Sequence, residues 1–175
     1  MIDTIEILKK QFEINDLYHQ RSNLCFITGK KEQLLSILQA LRDLHNYTHL
    51  VMVTAVDWIE QNQFQLTYLL HNYESRTDLG IRVFLDRECP VMASIHHLWK
   101  QGRVYQQELH EMFGIDFPGS PDQDIPMILE GWQGPPPMRR DFDTKKYSEE
   151  TYSNRERNHH EPEQYMKQIL YPEEN

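Results

Sequence analysis

The sequence predicts an α+β domain, in which helices pack on an antiparallel or mixed sheet, followed by a long extended C-terminal arm. The 175 residues are 39% apolar and 26% charged, which suffices for one modest core. Strand-like and helix-like segments follow one another without a regular strand–helix–strand alternation, and this order favours α+β. Nearly all prolines lie beyond Phe113. We therefore place the domain at residues 1–119 and the arm at residues 120–175.

The first half of the chain supplies two helices and a short strand. Apolar residues recur at helical spacing in residues 2–12, and "NLCFIT" at residues 23–28 predicts a strand that stops at Gly29. Residues 31–47 place five leucines on one stripe, as in an amphipathic helix.

Three strands in series follow. The segment "THLVMVTAVDW", residues 48–58, is almost continuously apolar and predicts a central strand. Residues 63–71 and 79–86 alternate apolar and polar side chains, and the polar connections are short. This arrangement predicts an antiparallel meander. Two helical segments, residues 91–99 and 101–113, complete the domain.

The second of these helices ends in a predicted joint. Tyr105, Leu109 and Phe113 share one apolar helix face, and Gly114 stands where a left-handed C-cap is wanted. Ile115 and Phe117 then alternate as an extended piece, and Pro118-Gly119 suits the centre of a type II turn. Acids on a helix end followed by an ordered turn indicate a docking surface.

The same joint is dense enough in polar side chains to be tested for chemistry. "HEMFG" begins like the zinc motif H-E-x-x-H, but Gly114 occupies the position of the second histidine. Glu108 and Glu111 share a helix face and leave acid–base work open as the less favoured alternative. The His96-His97 and His159-His160 pairs are neighbours that point apart, so surface or capping roles are favoured.

Composition excludes several function classes. The formal net charge of −9 argues against a general nucleic-acid binder, which needs clustered Lys and Arg. Cys25 and Cys89 are too few for a four-thiolate cluster, and two buried free thiols are favoured over one disulfide. No apolar run reaches the roughly 18 residues of a membrane span, and the N-terminus lacks a signal-peptide pattern. We therefore expect a soluble intracellular chain.

The arm has two interpretations. Residues 141–175 hold little aliphatic mass but five aromatic residues, so they cannot form a core of their own. They are either a disordered tail or an arm that orders on another protein, and the aromatic spacing favours the arm. Trp132, Tyr147, Tyr152 and Tyr165 are the predicted anchors in partner grooves. We expect charge-assisted hydrogen bonds of the run 139–141 to fix the exit of the arm from the domain.

The sequence of the joint resembles the signature of a known protein family. "QELHEMFGIDFPGSPD" is similar to the signature of the C subunit of NADH-quinone oxidoreductase, the thirty-kilodalton subunit of respiratory complex I. "EGWQGPPPMRRDFD" resembles the second landmark of that family. The matching positions are Glu108, Met112, Phe113, Gly114, Ile115, Phe117, Gly119, Pro121, Asp122, Trp132, Gly134, Pro137, Arg139, Arg140 and Asp141.

The match has departures. Gln107 stands where the signature has Arg, Glu111 where it has Asp, and Ser120 where it has His. "QDIPMIL" replaces a basic stretch. These differences leave the subfamily and the electron donor open. Related subunits belong to plastoquinone-reducing complexes, F420-dependent dehydrogenases and membrane-bound hydrogenases.

The resemblance implies a non-catalytic structural subunit of the hydrophilic arm of a proton-translocating oxidoreductase. Such a subunit packs against the large hydrogenase-like subunit at the quinone cavity and lies near iron–sulfur subunits, at the cytoplasmic face of a bacterial inner membrane. Iron–sulfur clusters, flavin and quinone are then expected in partner subunits and no cofactor in this chain. A free-standing small enzyme is the less favoured alternative. The predicted partner-binding residues are Glu108, Glu111, Phe113, Gly114, Phe117, Trp132, Arg139, Arg140, Asp141, Tyr147 and Tyr152.

Overall fold

The computed structural model describes residues 2–152, 166 and 169–170. Within them two compact units are separated, one running through Phe142 and one beginning at Asp143. The first unit holds three α-helices, two short 3-10 helices (Lys31–Gln33 and Ile59–Gln61) and a five-stranded sheet, and the predicted α+β class is confirmed. Its elements are α1 (Ile2–Gln11), β1 (Ile14–Arg21), β2 (Leu24–Gly29), α2 (Leu34–His45), β3 (His49–Trp58), β4 (Gln63–Asn72), β5 (Thr77–Asp86) and α3 (Gly102–Phe113). The second unit holds α4 (Thr144–Thr151).

The sheet is mixed, with strand order β1-β2-β5-β4-β3. Strands β3, β4 and β5 pair antiparallel in sequence order, which confirms the predicted meander. Strand β2 pairs parallel with β5, and β1 continues the sheet as an antiparallel hairpin partner of β2. The sequence does not predict strand β1, because six of its eight residues are exposed and it therefore lacks an alternation of apolar and polar residues.

Strand β3 lies at an edge of the sheet, so its prediction as a central strand is wrong. At its N-terminal end, three backbone carbonyls in or directly before the strand are bonded by side chains instead of by another strand. Trp99 donates its indole N–H to the carbonyl of Thr48 at 2.7 Å, and Tyr105 donates its hydroxyl to Val51 at 2.8 Å. Gln101 donates to Leu50 between them. The apolar continuity of β3 reflects apolar side chains on both faces of an edge strand.

The core lies on one face of the sheet. Alternate strand residues there, such as Val53, Tyr68 and Ile81 in one cross-strand row, are buried together with residues of α1, α2 and α3 in a single cluster. The positions between them point to the opposite face, and most are exposed or half-buried. Helices α1, α2 and α3 therefore pack on the same side of the sheet.

The segment 91–99 is not helical, contrary to prediction. Met92, Ile95 and Trp99 are buried at helix-like spacing, but the backbone follows a bridge and turns. Val91 forms a parallel bridge with Asp116, and the N–H of Met92 donates to the carbonyl of Asp116 at 2.9 Å. The spacing of apolar residues correctly indicates which side chains are buried, but it does not establish a helix. Here backbone hydrogen bonds to a distant segment take the place of helical ones.

The joint after α3 forms as predicted. Gly114 has a φ of 71° and closes the helix in the left-handed region. Gly119 has a φ of 83°, and the N–H of Ser120 donates to the carbonyl of Phe117 at 2.9 Å, as in a type II turn. Ile115 and Phe117 are both fully buried.

The arm differs from its prediction in two respects. Residues 120–142 belong to the first compact unit, so the break between units falls after Phe142 and not after Gly119. Residues 144–151 form a helix with Asp143 as N-cap, because the Asp143 carboxylate accepts from the N–H of Lys146 at 2.9 Å. The predicted anchor Tyr165 and the pair His159-His160 lie outside the described residues.

Candidate docking surface

The C-terminal end of α3 is hydrogen-bonded to a segment that lies more than 20 residues later in the chain. Arg139 donates its Nε–H to the carbonyl of Phe113 at 2.7 Å, and the N–H of Met138 donates to the carbonyl of Met112 at 3.0 Å. Two carbonyls without helical partners are thereby satisfied, one of them by a cation at the negative end of the helix. A Cβ added at Gly114 would lie 3.0 Å from Arg139 and from Pro136, so this contact also requires glycine.

Glu111 holds a loop of the chain itself. Its carboxylate accepts from the backbone N–H groups of Met127 at 3.0 Å, Ile128 at 3.1 Å and Leu129 at 2.7 Å. Gln107, one turn earlier, donates its side-chain amide to the carbonyl of Ile125 at 2.6 Å. Three N–H groups converging on one anion form a tight backbone nest. We call residues 125–129 the nest loop.

The nest loop presents apolar side chains to solvent. Ile125, Met127 and Ile128 are 56%, 42% and 68% exposed, although their backbone is fixed. Leu129, in contrast, turns inward and packs against the core. A rigid loop with three outward apolar side chains is the kind of surface that binds a protein partner.

Glu108 and His110 flank this region. Glu108 is exposed, and its side chain forms no hydrogen bond or ion pair within the described part of the chain. His110 lies between two carboxylates, with Nδ1 3.1 Å from Asp116 and Nε2 3.5 Å from Asp124. The two glutamates that share a helix face therefore have different surroundings. The Glu111 carboxylate accepts hydrogen bonds from the nest loop, whereas the Glu108 side chain is exposed.

A charge network connects the sheet with the run 139–141. Arg87 donates to both carboxylate oxygens of Asp57, at 2.8 and 3.1 Å, and to Asp141 at 2.6 Å. The backbone N–H of Arg140 donates to Asp57 at 2.9 Å. The Arg140 guanidinium binds both oxygens of Glu60, at 2.7 and 2.8 Å. These bonds fix residues 139–141 on the domain, as the sequence predicts for the exit of the arm.

The electrostatics follow from these contacts. Burial opposes ionisation of Asp57, whose side chain is 1% exposed, but the hydrogen bonds from Arg87 and from the Arg140 N–H together outweigh it. They hold the pKa of Asp57 below its usual range. The hydrogen bond from Arg87 likewise lowers the pKa of Asp141. The two carboxylates in turn raise the pKa of Arg87.

Sequence reasoning missed Asp57, Glu60 and Arg87. A signal was available for one of them: Asp57 stands at a core-facing position of an otherwise apolar strand, and a buried carboxylate requires a cation. Nothing local in the sequence marks Arg87 or Glu60 as its partners.

The remaining predicted partner-binding residues divide by exposure. Phe113 and Phe117 are 8% and 0% exposed, so their side chains belong to the core and support the surface from below. Trp132 is half-buried, donates its indole N–H to the carbonyl of Pro135 at 3.0 Å and lies 5.7 Å from the Phe142 ring. In the second unit Tyr147 is half-buried and Tyr152 is 65% exposed.

The described residues also show the state of the two cysteines and the arrangement of candidate metal ligands. Both thiols are free, with Cys25 buried and Cys89 exposed. The prediction of two buried thiols is therefore wrong for Cys89, which follows β5 in a surface bend. Within residues 2–152, 166 and 169–170 no group of three His, Cys, Asp or Glu side chains is arranged to hold a metal ion.

Comparison with known proteins decides the family. The model of the respiratory-chain NADH dehydrogenase 30 kDa subunit family matches residues 27–148. The chain belongs to this family. The resemblance found in the two sequence landmarks is thereby confirmed, and both landmarks lie inside the matched range.

Relatives of the 30 kDa subunit family align over much of the chain. The C subunit of the NADH-quinone oxidoreductase of Citrifermentans bemidjiense is 31% identical over 130 residues, which cover 74% of this chain and 80% of that protein. The corresponding protein of Moorella thermoacetica is 30% identical over 111 residues, covering 63% and 74%. That of Trichlorobacter lovleyi is 27% identical over 161 residues, covering 89% and 99%.

Solved structures share the fold of this 30 kDa-family chain. A chain of the membrane-bound sulfane sulfur reductase, an archaeal respiratory membrane complex, superposes with a TM-score of 0.80 at 23% identity, covering 89% of this chain and 92% of that one. A trypsin-resistant fragment of Nqo5 superposes with a TM-score of 0.57 at 18% identity, covering 69% and 96%. In the described part of the chain, no helix has the length and apolar character to cross a membrane.

Proposed function

We propose that this chain is a non-catalytic structural subunit in the hydrophilic arm of a proton-translocating NADH-quinone oxidoreductase, where it docks the large quinone-site subunit. The observation that carries the proposal is the nest loop, whose apolar side chains face solvent while Glu111 fixes its backbone. A surface that is ordered before binding loses little conformational entropy on association. Membership of the 30 kDa subunit family supplies the kind of complex.

The surroundings of the nest loop specify the partner surface. The exposed acids Asp124 and Glu130 flank the nest loop in the sequence, and Glu108 is exposed on α3. An apolar groove with basic residues at its rim complements such a surface, because rim charges set orientation and encounter rate. Glu108 pairs with one of those basic groups.

The proposal places redox chemistry in other subunits. Iron–sulfur clusters, flavin and quinone belong to partner chains of a hetero-oligomer, and this chain supplies shape and charge complementarity. It associates peripherally with a bacterial inner membrane, at the cytoplasmic face, through those partners. Relatives named as subunits of an oxidoreductase support this role.

Replacing one exposed loop residue tests the docking role. We expect Ile128→Asp to reduce incorporation of the tagged chain into the complex by roughly tenfold or more, because it places a charge at the centre of an apolar contact. The measurement is co-purification of partner subunits after mild solubilisation. The matched control is Leu44→Asp, since Leu44 is 70% exposed on α2 and Ile128 is 68% exposed.

Equal incorporation of the two variants would contradict docking through the nest loop. Normal assembly combined with loss of turnover would instead favour the small-enzyme alternative with Glu108 and His110 in acid–base roles.

The second unit contributes a separate attachment in this proposal. Truncation after Asp143 is expected to leave the thermal unfolding of the first unit unchanged, because the break between units falls at residue 142. It is expected to weaken retention of the chain in the complex, since Tyr147 and Tyr152 are removed as anchors. Differential scanning calorimetry and co-purification measure the two effects. Normal retention of the truncated chain would contradict an anchoring arm.

A second candidate is the equivalent subunit of a related respiratory membrane complex with another donor. It is supported by the superposition on a chain of the sulfane sulfur reductase complex, which covers more of this chain than the Nqo5 fragment does. Mass spectrometry of the co-purified partners separates the candidates, because only an NADH-dependent complex retains an NADH-oxidising flavoprotein.

A further inference from the structure

The face of the sheet opposite the helices, which we call the outer sheet face, carries exposed apolar side chains. A solvated face of an antiparallel sheet is normally polar, and some positions here are Thr or Gln. The face nevertheless exposes Tyr18, Met52, Val56, Trp58 and Phe84 by 56%, 39%, 40%, 40% and 40%. Large apolar side chains gathered on one exposed face mark contact with another protein.

The centre of the outer sheet face is built around a glycine. Strand register places Phe26 opposite Gly80, and a Cβ on Gly80 would lie 2.2 Å from the Phe26 ring. The ring thus occupies the space that any other residue at position 80 would fill. The Arg82 guanidinium lies over the same ring, 4.2 Å from its centroid, and 6.0 Å from the Tyr18 ring.

Among the described residues, none provides a hydrogen-bond acceptor for Arg82, which is held in place by stacking. Its Nε is buried and has no hydrogen-bond partner, and no carboxylate of the described residues pairs with the guanidinium. Asp16 stands two strands away in the same row and forms no ion pair with it. Stacking on aromatic rings compensates only part of the lost hydration of a cation. The other half-buried or network-forming arginines have oxygen acceptors: Arg42, Arg87, Arg103, Arg139 and Arg140.

We propose that the outer sheet face binds a second partner subunit, one that places an Asp or Glu carboxylate against the terminal N–H groups of the Arg82 guanidinium. Apolar side chains around that carboxylate pack on Met52, Val56, Trp58 and Phe84. The carboxylate completes the hydrogen bonding of a cation already positioned by stacking, so the site is preorganised.

The chemistry of the face selects this occupant. A free anion would satisfy Arg82 but leave the apolar side chains in water. A nucleic acid is disfavoured by the net charge of −9, because phosphate contacts need clustered cations. A protein surface with one acid inside an apolar patch matches both features at once.

The inference rests on the proposed assembly role only in taking the occupant to be another subunit of the complex. The nest loop belongs to the α3 end of the first unit, and the outer sheet face carries none of its residues. If Ile128→Asp weakens assembly while changes on the outer sheet face have no effect, this inference fails alone and the proposed function stands.

The first test replaces the cation by an apolar side chain of similar length. Arg82→Met keeps a flexible apolar chain over Phe26 and removes a buried, unsatisfied donor. The midpoint of thermal unfolding of the free full-length chain is therefore expected to stay unchanged or rise. Retention in the native complex is expected to fall by roughly tenfold or more, as when one member of a buried interfacial ion pair is removed. Retention of Arg82→Lys, which keeps the charge but not the planar set of guanidinium donors, is expected to lie between that of the wild type and that of Arg82→Met.

The second test identifies the occupant directly. A photo-crosslinking residue replaces Val56 in the full chain within the intact complex, and the control position is Leu44 on α2. We expect adducts at position 56 to a different subunit, at a segment containing Asp or Glu. Absence of an adduct, an adduct to residues 153–175 of this chain, or an adduct to a second copy would each overturn the proposal. So would normal retention of Arg82→Met.

Discussion

Asp57→Ala is expected to destabilise the isolated chain by about 3–5 kcal/mol, the typical cost of removing one member of a buried ion pair. Asp57 accepts hydrogen bonds from Arg87 and from the N–H of Arg140, and its side chain is 1% exposed. Removal leaves Arg87 with Asp141 alone and uncouples the run 139–141 from β3. Urea unfolding followed by circular dichroism measures the loss in the free energy of unfolding.

Glu60→Ala provides the matched control. Glu60 binds Arg140 in the same network, but both side chains are more than half exposed. Exposed ion pairs contribute about 0–1 kcal/mol. Equal destabilisation by the two substitutions would show that burial of Asp57 is not what makes the network stabilising.

The pH dependence provides a second check on Asp57. Its pKa is held below the usual range in the folded chain, so its stabilisation is fully present above the unfolded value of roughly 4. The stabilisation is lost as the pH falls through the lower folded value. The difference in unfolding free energy between wild type and Asp57→Ala is therefore expected to be constant above about pH 5 and to shrink below about pH 4. A difference that grew on acidification would contradict this assignment.

Glu111→Ala is expected to release the nest loop. The substitution removes the acceptor of three backbone N–H groups, and we expect about 1–3 kcal/mol of destabilisation, since water compensates the exposed members in part. Amide hydrogen exchange at residues 127–129 is expected to accelerate more than elsewhere. Incorporation into the complex is expected to fall with it, because an unfixed loop must be ordered on binding.

Glu108→Ala separates this effect from a general loss of charge on α3. Glu108 is an exposed acid on the same helix without a side-chain partner in the described residues. Its removal is expected to leave the exchange of residues 127–129 unchanged. Faster hydrogen exchange at residues 127–129 in both variants would contradict the conclusion that the Glu111 carboxylate specifically fixes the nest loop.

The sequence predicts those parts of the fold in which local periodicity and burial coincide. Strands β4 and β5 alternate because one face of each is buried, and α3 ends at Gly114 because glycine adopts a φ of 71° without the steric cost of a Cβ. Strand β1 has no apolar alternation, since its pairing with β2 rests on backbone bonds. Residues 91–99 show helical spacing of buried residues, but the bridge to Asp116 is non-local and invisible in the sequence.

The same division applies to the candidate site. Arg139, Arg140 and Asp141 were found because they match the second family landmark, whereas their partners Asp57, Glu60 and Arg87 come from distant strands and turns. The role of Glu111 was predicted as a contact with a partner's base. The backbone N–H groups that donate to its carboxylate lie 16–18 residues further along the chain, in a loop whose path no periodicity specifies.

The covered edge of β3 has a consequence for the chain before it meets any partner. An uncovered edge strand is a template onto which another molecule can add a strand, and newly made subunits in excess over their partners are most exposed to that hazard. Here Trp99, Gln101 and Tyr105 bond the carbonyls of Thr48, Leu50 and Val51, at the N-terminal end of β3. At the other edge, β1 is interrupted by two register shifts and is mostly polar. Strand addition is thus obstructed at the N-terminal end of β3 and along the irregular β1 while the chain remains unassembled.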